Sequence, residues 1–185
     1  LSRDPAGQGL PRGLCAPDGR TRCAALIRLL FVCLGNICRS PTAEGVLRKQ
    51  AVECGQGMQV DSAGTSDWHI GAPPHPPAIA AAAQRGIDLS RLRARQFTPD
   101  DFTDFDLILA MDRANLDRIE ALRPTDSRTP VRLMLDFAPA SGRTDVPDPY
   151  FTHDYEGALD LIEAAAAGLL DQLAQNALAS AEKSL

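Results

Sequence analysis

Short apolar segments alternate with helix-forming segments from residue 27 to the C-terminal part of the chain. Four apolar segments have the length and composition of buried strands: residues 27–33, 58–63, 106–111 and 131–135. Helix-forming segments follow each of them, at residues 41–54, 76–84, 113–122 and 154–178. Parallel strands need helical crossovers, so this alternation predicts a single doubly wound α/β domain, with a four-stranded parallel sheet flanked by helices.

Residues 1–26 differ from the rest of the chain. They are rich in glycine, proline and arginine and show no hydrophobic periodicity. We interpret them as a disordered leader or extension, and we place the folded domain at residues 27–182. The apolar run that opens this domain is interrupted by Arg28 and is far shorter than the ~20 residues of a membrane span, so we expect no membrane association.

Charge and cysteine content narrow the class of protein. The formal net charge of −5 argues against a nucleic-acid partner, because proteins that neutralise phosphate backbones carry a basic face. An odd number of cysteines is a poor disulfide framework and favours a reducing, cytoplasmic location. No Cys/His pair follows these cysteines at a spacing that suits a metal, so we expect no metal or other cofactor. The five are Cys15, Cys23, Cys33, Cys38 and Cys54.

The segment VCLGNICRSP, residues 32–41, carries most of the predicted chemistry. Cys33 ends the first predicted strand, and Ser40 and Pro41 are predicted as the N-cap and first residue of a helix. Backbone amides of the turn, the helix N-terminus and the Arg39 guanidinium would form an anion cradle that favours a Cys33 thiolate. Arg39 can bind two phosphoryl oxygens with its planar fork. The spacing therefore predicts a nucleophilic cysteine in a phosphate-binding loop.

Three other residues of this loop are predicted to shape it. Gly35 is expected to take a backbone conformation closed to other residues, and Asn36 is expected to accept a left-handed turn. The Ser40 hydroxyl can donate to the Cys33 thiolate and improve it as a leaving group. Cys38 is consistent either with packing in the loop or with redox protection of Cys33.

A proton donor is expected elsewhere, because attack of cysteine on phosphorus leaves an oxyanion on the departing group. Asp148 in the segment DVPDPYF is the candidate, since Pro147 and Pro149 stiffen the loop around it. The same carboxyl could later activate the water that hydrolyses a cysteinyl phosphate. Tyr150 beside it can form a wall for an aromatic substrate.

Four segments together resemble the low-molecular-weight protein tyrosine phosphatase family: VCLGNICRSP, DSAGTSDWHIG, AMD and DVPDPYF, at residues 32–41, 61–71, 110–112 and 145–151. The resemblance implies the phosphotyrosine phosphatase I-like fold and hydrolysis of phosphotyrosine in proteins, and of small aryl phosphates, through a phosphocysteine. It implies Cys33 as nucleophile, Arg39 as phosphate-binding residue and Asp148 as general acid. Phosphate or vanadate would be inhibitory ligands.

The resemblance also assigns roles to residues around these three. Asn36, Ser40 and Ser62 would form the network that holds the loop rigid, and Trp68 and Tyr150 would line the walls of the pocket. The remaining phosphate-loop positions would be Leu34, Gly35, Ile37 and Cys38. Where many members have a second tyrosine after Asp-Pro, this chain has Phe151.

Several alternatives stay open at the level of sequence. A protein-arginine phosphatase is one, although that branch carries threonine at the position of Ile37, and a branched apolar side chain suits an aromatic ring better. A non-catalytic phosphotyrosine-binding module is another, although a binder needs no proton donor. Asp112 can be a helix cap or a site residue, and Cys54 is interpreted as a packing residue. A group of arginines is interpreted as a solvated face: Arg85, Arg91, Arg93 and Arg95.

Overall fold

A computed structural model describes residues 26–182 of the chain. The predicted leader at residues 1–26 therefore lies outside the described residues, apart from Leu26. Four strands are β1 (Ile27–Cys33), β2 (Met58–Gly64), β3 (Leu107–Ala110) and β4 (Val131–Leu133). Six helices are α1 (Arg39–Glu53), α2 (Pro76–Gln84), α3 (Asp101–Asp104), α4 (Arg113–Ala121), α5 (Pro149–Thr152) and α6 (Tyr155–Glu182).

The four strands form one parallel sheet in the order β2-β1-β3-β4. β1 lies between β2 and β3, with Cys33 opposite Gly64 and Val32 opposite Ala110. The carboxyl ends of the strands meet at one edge of the sheet. The loop that follows β1 therefore emerges at the centre of that edge, where ligands of such sheets bind.

Side chains of β1 alternate between two cores, one on each face of the sheet. Leu29, Phe31 and Cys33 pack into the core that α1 and α6 cover. Leu30 and Val32 face the second core, which contains Phe97, Phe102, Phe105 and Ile119. Both faces of β1 are thus buried from residue 29 to residue 33, which explains the apolar sequence there. The predicted doubly wound α/β fold is confirmed.

Several boundaries differ from the sequence predictions, and two of these differences have a local cause. α1 begins at Arg39 with Cys38 at the N-cap, so the prediction of Ser40 as N-cap was wrong. The Ser40 hydroxyl instead donates to the carbonyl of Ala63, at 3.2 Å. The fourth predicted strand ends at Leu133, because Met134–Phe137 forms a 3₁₀ turn. No helix within residues 26–182 is long and apolar enough to cross a membrane.

Candidate active site

A pocket of about 380 Å³ opens at the carboxyl end of β1. The loop between β1 and α1 forms its floor, and side chains from two other loops form its walls. The pocket contains the three residues predicted to carry the chemistry, which come from distant parts of the chain: Cys33, Arg39 and Asp148.

Carbonyl groups of this loop are turned away from the pocket. The carbonyl of Cys33 accepts from the amide of Thr65, that of Leu34 from Ser66, and that of Ile37 from His75. Because a trans peptide unit is planar, its N–H points opposite to its C=O. The amides of Leu34, Gly35 and Cys38 therefore point to the pocket side, as an anion cradle requires.

The Cys33 thiol group lies at the bottom of the cradle, and its side chain is only 3% exposed. Its Sγ is 3.1 Å from the Ser40 hydroxyl and accepts the amide of Asn36 at 3.2 Å. Both partners can stabilise negative charge on the sulfur. The position agrees with a nucleophile directed into the pocket.

Asn36 is the central brace of the loop. Its backbone takes the left-handed conformation expected from the sequence, with φ of 54°. The side-chain amide donates to the hydroxyls of Ser40 and Ser62, both at 2.9 Å. The side-chain oxygen accepts the amide of Arg95 at 2.9 Å. These bonds join the loop to β2 and to the segment before α3, in the arrangement expected for the loop-support residues.

Glu44 on α1 extends this brace and was not singled out from the sequence. The Ser62 hydroxyl donates to its carboxylate at 2.6 Å, and Arg48 pairs with it at 2.6 Å. Burial raises the pKa of Glu44, while the Ser62 hydrogen bond and Arg48 oppose that rise. An acidic residue in the first turns of a helix is usually explained by its favourable interaction with the helix dipole. The sequence therefore gave no separate signal for the contact with Ser62.

The Arg39 guanidinium is 3% exposed and holds two carboxylates. Nη1 donates to Asp112 at 2.6 Å and to the carbonyl of Val146 at 3.1 Å, and Nη2 donates to Asp148 at 2.7 Å. Burial alone lowers the pKa of Arg39, but the Cys33 and Asp148 charges and the Asp112 hydrogen bond outweigh it, so the pKa is raised. Nε is buried and has no hydrogen-bond partner within the described part of the chain. The edge formed by Nε and Nη2 is therefore suited to receive phosphoryl oxygens.

Asp112 serves both roles that the sequence left open. Its Oδ1 accepts the amide of Asn115 and caps α4, at 2.7 Å, while its Oδ2 binds Arg39. Asp148 has a similar double contact, since its Oδ1 accepts the amide of Tyr150 at 3.1 Å and caps α5. Capping fixes the direction of both carboxylates.

Aromatic side chains form the walls of the pocket. Trp68 and Tyr150, both predicted from the sequence, line it together with His69 and Phe151, which were not assigned there. Trp68 is 70% and Phe151 is 71% exposed, so these rings reach the rim of the pocket. The branched side chain of Ile37 lies on the floor beside them. A flat aromatic group fits between such walls.

The role predicted for Gly35 was wrong. Gly35 is not among the glycines with positive φ. A Cβ at this position would instead lie 3.0 Å from the His69 ring. Glycine is therefore favoured here by the close approach of the His69 side chain rather than by its backbone angles.

Two further interpretations need correction: that of Cys54 as a packing residue, and that of the arginine group, in which Arg91 and Arg93 are exposed as predicted but Arg85 and Arg95 are not. Cys54 is exposed rather than packed. Arg95 is not part of a solvated face, because it pairs with Asp61 at 2.9 Å and with Asp101 at 3.0 Å. Arg85 pairs with acidic residues of α6, among them Glu163 at 2.6 Å. Both arginines connect elements of the fold.

Comparison with known proteins agrees with this fold. The family model for low molecular weight phosphotyrosine protein phosphatases matches residues 28–179. The low molecular weight protein-tyrosine-phosphatase YfkJ of Bacillus subtilis is 40% identical over 147 residues, which cover 78% of this chain and 94% of the relative. The crystal structure of YfkJ superposes with a TM-score of 0.79 at 37% identity, covering 83% of this chain and 98% of that chain.

Two further solved structures are similar. A protein tyrosine phosphatase from Entamoeba histolytica with Hepes in the active site has a TM-score of 0.77 at 33% identity, covering 81% of this chain and 98% of that chain. The drosophila arginine phosphatase has a TM-score of 0.75 at 31% identity, covering 80% of this chain and 98% of that chain. The chain belongs to the low molecular weight phosphotyrosine protein phosphatase family, and it is a hydrolase of that class.

Proposed function

We propose that the protein hydrolyses phosphotyrosine in proteins, and small aryl phosphates, through a phosphocysteine on Cys33. The observation that carries this proposal is the meeting of Cys33, Arg39 and Asp148 in one pocket with inward-facing backbone amides. The amides and the Nε–Nη2 edge of Arg39 bind the phosphoryl oxygens and follow them as they spread in the transition state. Phosphate and vanadate bind the same cradle as inhibitors.

The first half of the reaction transfers the phosphoryl group to sulfur. The Cys33 thiolate forms the S–P bond while the P–O bond to the aryl group breaks. Asp148 gives its proton to the departing oxygen and is left as a carboxylate. The cap on α5 keeps this side chain at the pocket. Its pairing with Arg39 at 2.7 Å is proposed to give way when a phosphate binds.

The second half returns the enzyme to its starting state. Asp148 takes a proton from a water molecule, and the resulting hydroxide attacks phosphorus as the S–P bond breaks. The electron pair of that bond returns to Cys33. The Ser40 hydroxyl, 3.1 Å away, can turn its proton from the Ala63 carbonyl to the sulfur and stabilise the thiolate. Inorganic phosphate leaves, and the proposed cycle uses no cofactor.

The walls of the pocket favour an aryl ester over a phosphorylated guanidinium. Trp68 and Tyr150 line the pocket with aromatic rings, and Ile37 adds an apolar branched side chain. A guanidinium needs hydrogen-bond acceptors along its edges, which these three side chains do not supply apart from the phenol oxygen. The fold does not separate the two activities, because the drosophila arginine phosphatase shares it.

A reducing, cytoplasmic location suits this chemistry. The three cysteines of the described range, Cys33, Cys38 and Cys54, are all free thiols. A thiolate nucleophile works only while its sulfur is reduced.

The test is an assay of the purified chain against phosphotyrosine, phosphoserine and phosphoarginine peptides with EDTA present. We expect turnover of phosphotyrosine alone. Cys33→Ser should abolish it while inorganic phosphate still binds, and Cys54→Ser is the matched control, because Cys54 is exposed and outside the pocket. Turnover that survives Cys33→Ser, or that disappears with EDTA, rules the mechanism out.

A further inference from the structure

His75 connects three segments that surround the pocket. Its backbone amide donates to the carbonyl of Ile37 in the phosphate loop at 2.7 Å. Its ring Nδ1 lies 2.8 Å from the hydroxyl of Tyr155. Its ring also packs against Tyr150 with centroids 5.4 Å apart, and against Tyr155 with centroids 5.9 Å apart. No assigned role in the reaction uses these contacts.

The loop that carries Asp148, residues 145–152, is called the acid loop below. It has little support of its own. α5 has four residues, which is a length at which helix formation in isolation is unfavourable. Tyr150 is 47% exposed, and its other ring neighbour, Phe151, is 71% exposed and cannot anchor it. His75 is therefore the aromatic contact that fixes the Tyr150 ring to the body of the protein.

Holding Tyr150 also holds Asp148. The amide of Tyr150 donates to the Asp148 side chain at 3.1 Å, and the Asp148 carbonyl accepts the amides of Phe151 and Thr152 at 3.1 Å. These bonds make residues 148–152 a single rigid turn. A rotation of Tyr150 about the loop therefore changes the direction in which the Asp148 carboxyl points.

Tyr155 supplies the fixed end of this connection. It is the first residue of the 28-residue helix α6 and packs against the main core. Tyr155 also lines a small cavity together with Cys38. Burial, followed by the nearby Cys38 and Asp148 groups, raises the pKa of Tyr155, so the phenol keeps its proton for hydrogen bonding.

We propose that His75 and Tyr155 are positioning residues that aim the general acid Asp148, acting through the Tyr150 ring. The inference rests on the proposed function, in which Asp148 protonates the leaving group. Loss of the Tyr155 hydroxyl leaves its ring in place but frees the His75 ring to rotate. Tyr150 then loses its fixed neighbour, and Asp148 points less often at the departing oxygen.

The test compares two substrates that differ in their need for an acid. With Tyr155→Phe, we expect kcat/KM for a phosphotyrosine peptide to fall roughly three- to tenfold, the loss of one neutral hydrogen bond. An activated aryl phosphate with a good leaving group should change by less than about twofold, because it needs little protonation. In an Asp148→Ala background, Tyr155→Phe should cause no further loss.

A second pair of variants provides a matched control. His75→Asn removes the ring but keeps a residue type that caps helices well. His153→Asn changes the other histidine near the acid loop, at a left-handed position that asparagine tolerates. We expect the substrate-selective loss with His75→Asn and not with His153→Asn.

The outcomes separate the two proposals. Three results would overturn the positioning role alone. Tyr155→Phe could slow both substrates equally, or it could cause a further loss in the Asp148→Ala background. The third such result is an equal effect of the two histidine variants. If Asp148→Ala itself slows both substrates equally, the assignment of Asp148 as acid fails, and the positioning role fails with it.

Discussion

Arg39 Nη2 and Asp148 Oδ2 lie 2.7 Å apart, so the group proposed to bind phosphate is paired with the group proposed to donate the proton. The two residues are 109 positions apart in the sequence. A phosphate at the Nε–Nη2 edge of Arg39 would share Nη2 with Asp148, and repulsion between the two anions opposes the Asp148 contact. Substrate binding therefore weakens the hold of Arg39 on Asp148 and frees the carboxyl to reach the leaving oxygen.

Removal of the Asp148 carboxylate should have opposite effects on binding and turnover. Asp148→Ala removes a negative charge that competes with the phosphate, so inorganic phosphate should inhibit more strongly. Turnover of phosphotyrosine should fall by ~10²–10⁴, the usual contribution of a general acid, and that of an activated aryl phosphate much less. Steady-state kinetics with phosphate as competitive inhibitor measure both effects.

Asp145→Ala is the control for this experiment, since Asp145 begins the same loop and its side chain binds the amide of Arg113 rather than Arg39. Weaker inhibition by phosphate in Asp148→Ala would contradict the competition between Asp148 and the ligand. Equal losses for the two substrates would assign the acid role to another group.

Glu44 should make the stability of the protein depend on pH. Burial raises its pKa, so its contribution to the free energy of unfolding is fully present below the ordinary glutamate range and is lost as the pH rises through the raised value. Between pH 4 and pH 7, wild type should therefore lose stability relative to Glu44→Gln, which does not titrate. Urea unfolding of both proteins across this pH range measures the difference.

Glu53→Gln is the matched control for Glu44→Gln, because Glu53 lies on the same helix with its side chain 60% exposed. The prediction fails if the difference in stability between wild type and Glu44→Gln stays constant with pH. It also fails if that difference grows in favour of wild type as the pH rises.

Cys38 should protect Cys33 from irreversible oxidation. Burial, together with the Cys33 and Asp148 charges, raises the pKa of Cys38 to about 12, so at neutral pH it is a thiol while Cys33 is the site of attack by peroxide. Peroxide oxidises the Cys33 sulfur to a sulfenic acid and is itself reduced to water. The Cys38 sulfur then attacks, and its proton and the sulfenic hydroxyl leave as water when the disulfide forms. We expect phosphate to slow inactivation by occupying the pocket.

The measurement is the fraction of each protein's own activity that dithiothreitol restores after peroxide, with peptide mapping by mass spectrometry. Cys38→Ser should recover poorly, and Cys54→Ser should recover like wild type. A Cys33–Cys54 disulfide, or full recovery of oxidised Cys38→Ser, would exclude this role for Cys38.

Sequence patterns predicted those parts of the fold whose signals are local. β1 and α2 were predicted with the bounds that the structure gives. The four-residue helices α3 and α5 were missed, because one turn is too short to show a periodicity. Met134 was assigned to a strand and lies in a 3₁₀ turn, since a short apolar run does not distinguish the two.

The candidate site shows the same division between local and distant signals. The order of residues in the Cys-x5-Arg loop indicated a nucleophile and an anion cradle. The contact of Arg39 with Asp112 joins residues 73 positions apart, and that of His75 with Tyr155 joins residues 80 apart. Such contacts depend on how the strands and helices pack, and local patterns in one sequence do not reveal that packing.

The two halves of the site are attached to parts of the fold that differ in how readily they open. Cys33 ends β1, which is paired on both sides and buried on both faces, so its backbone amides should exchange hydrogen with solvent only through large, rare openings. Asp148 caps the four-residue helix α5, in which only Pro149 is buried, so its opening involves few buried contacts. Slow conformational steps of the catalytic cycle should therefore take place in the acid loop, while the nucleophile remains stationary.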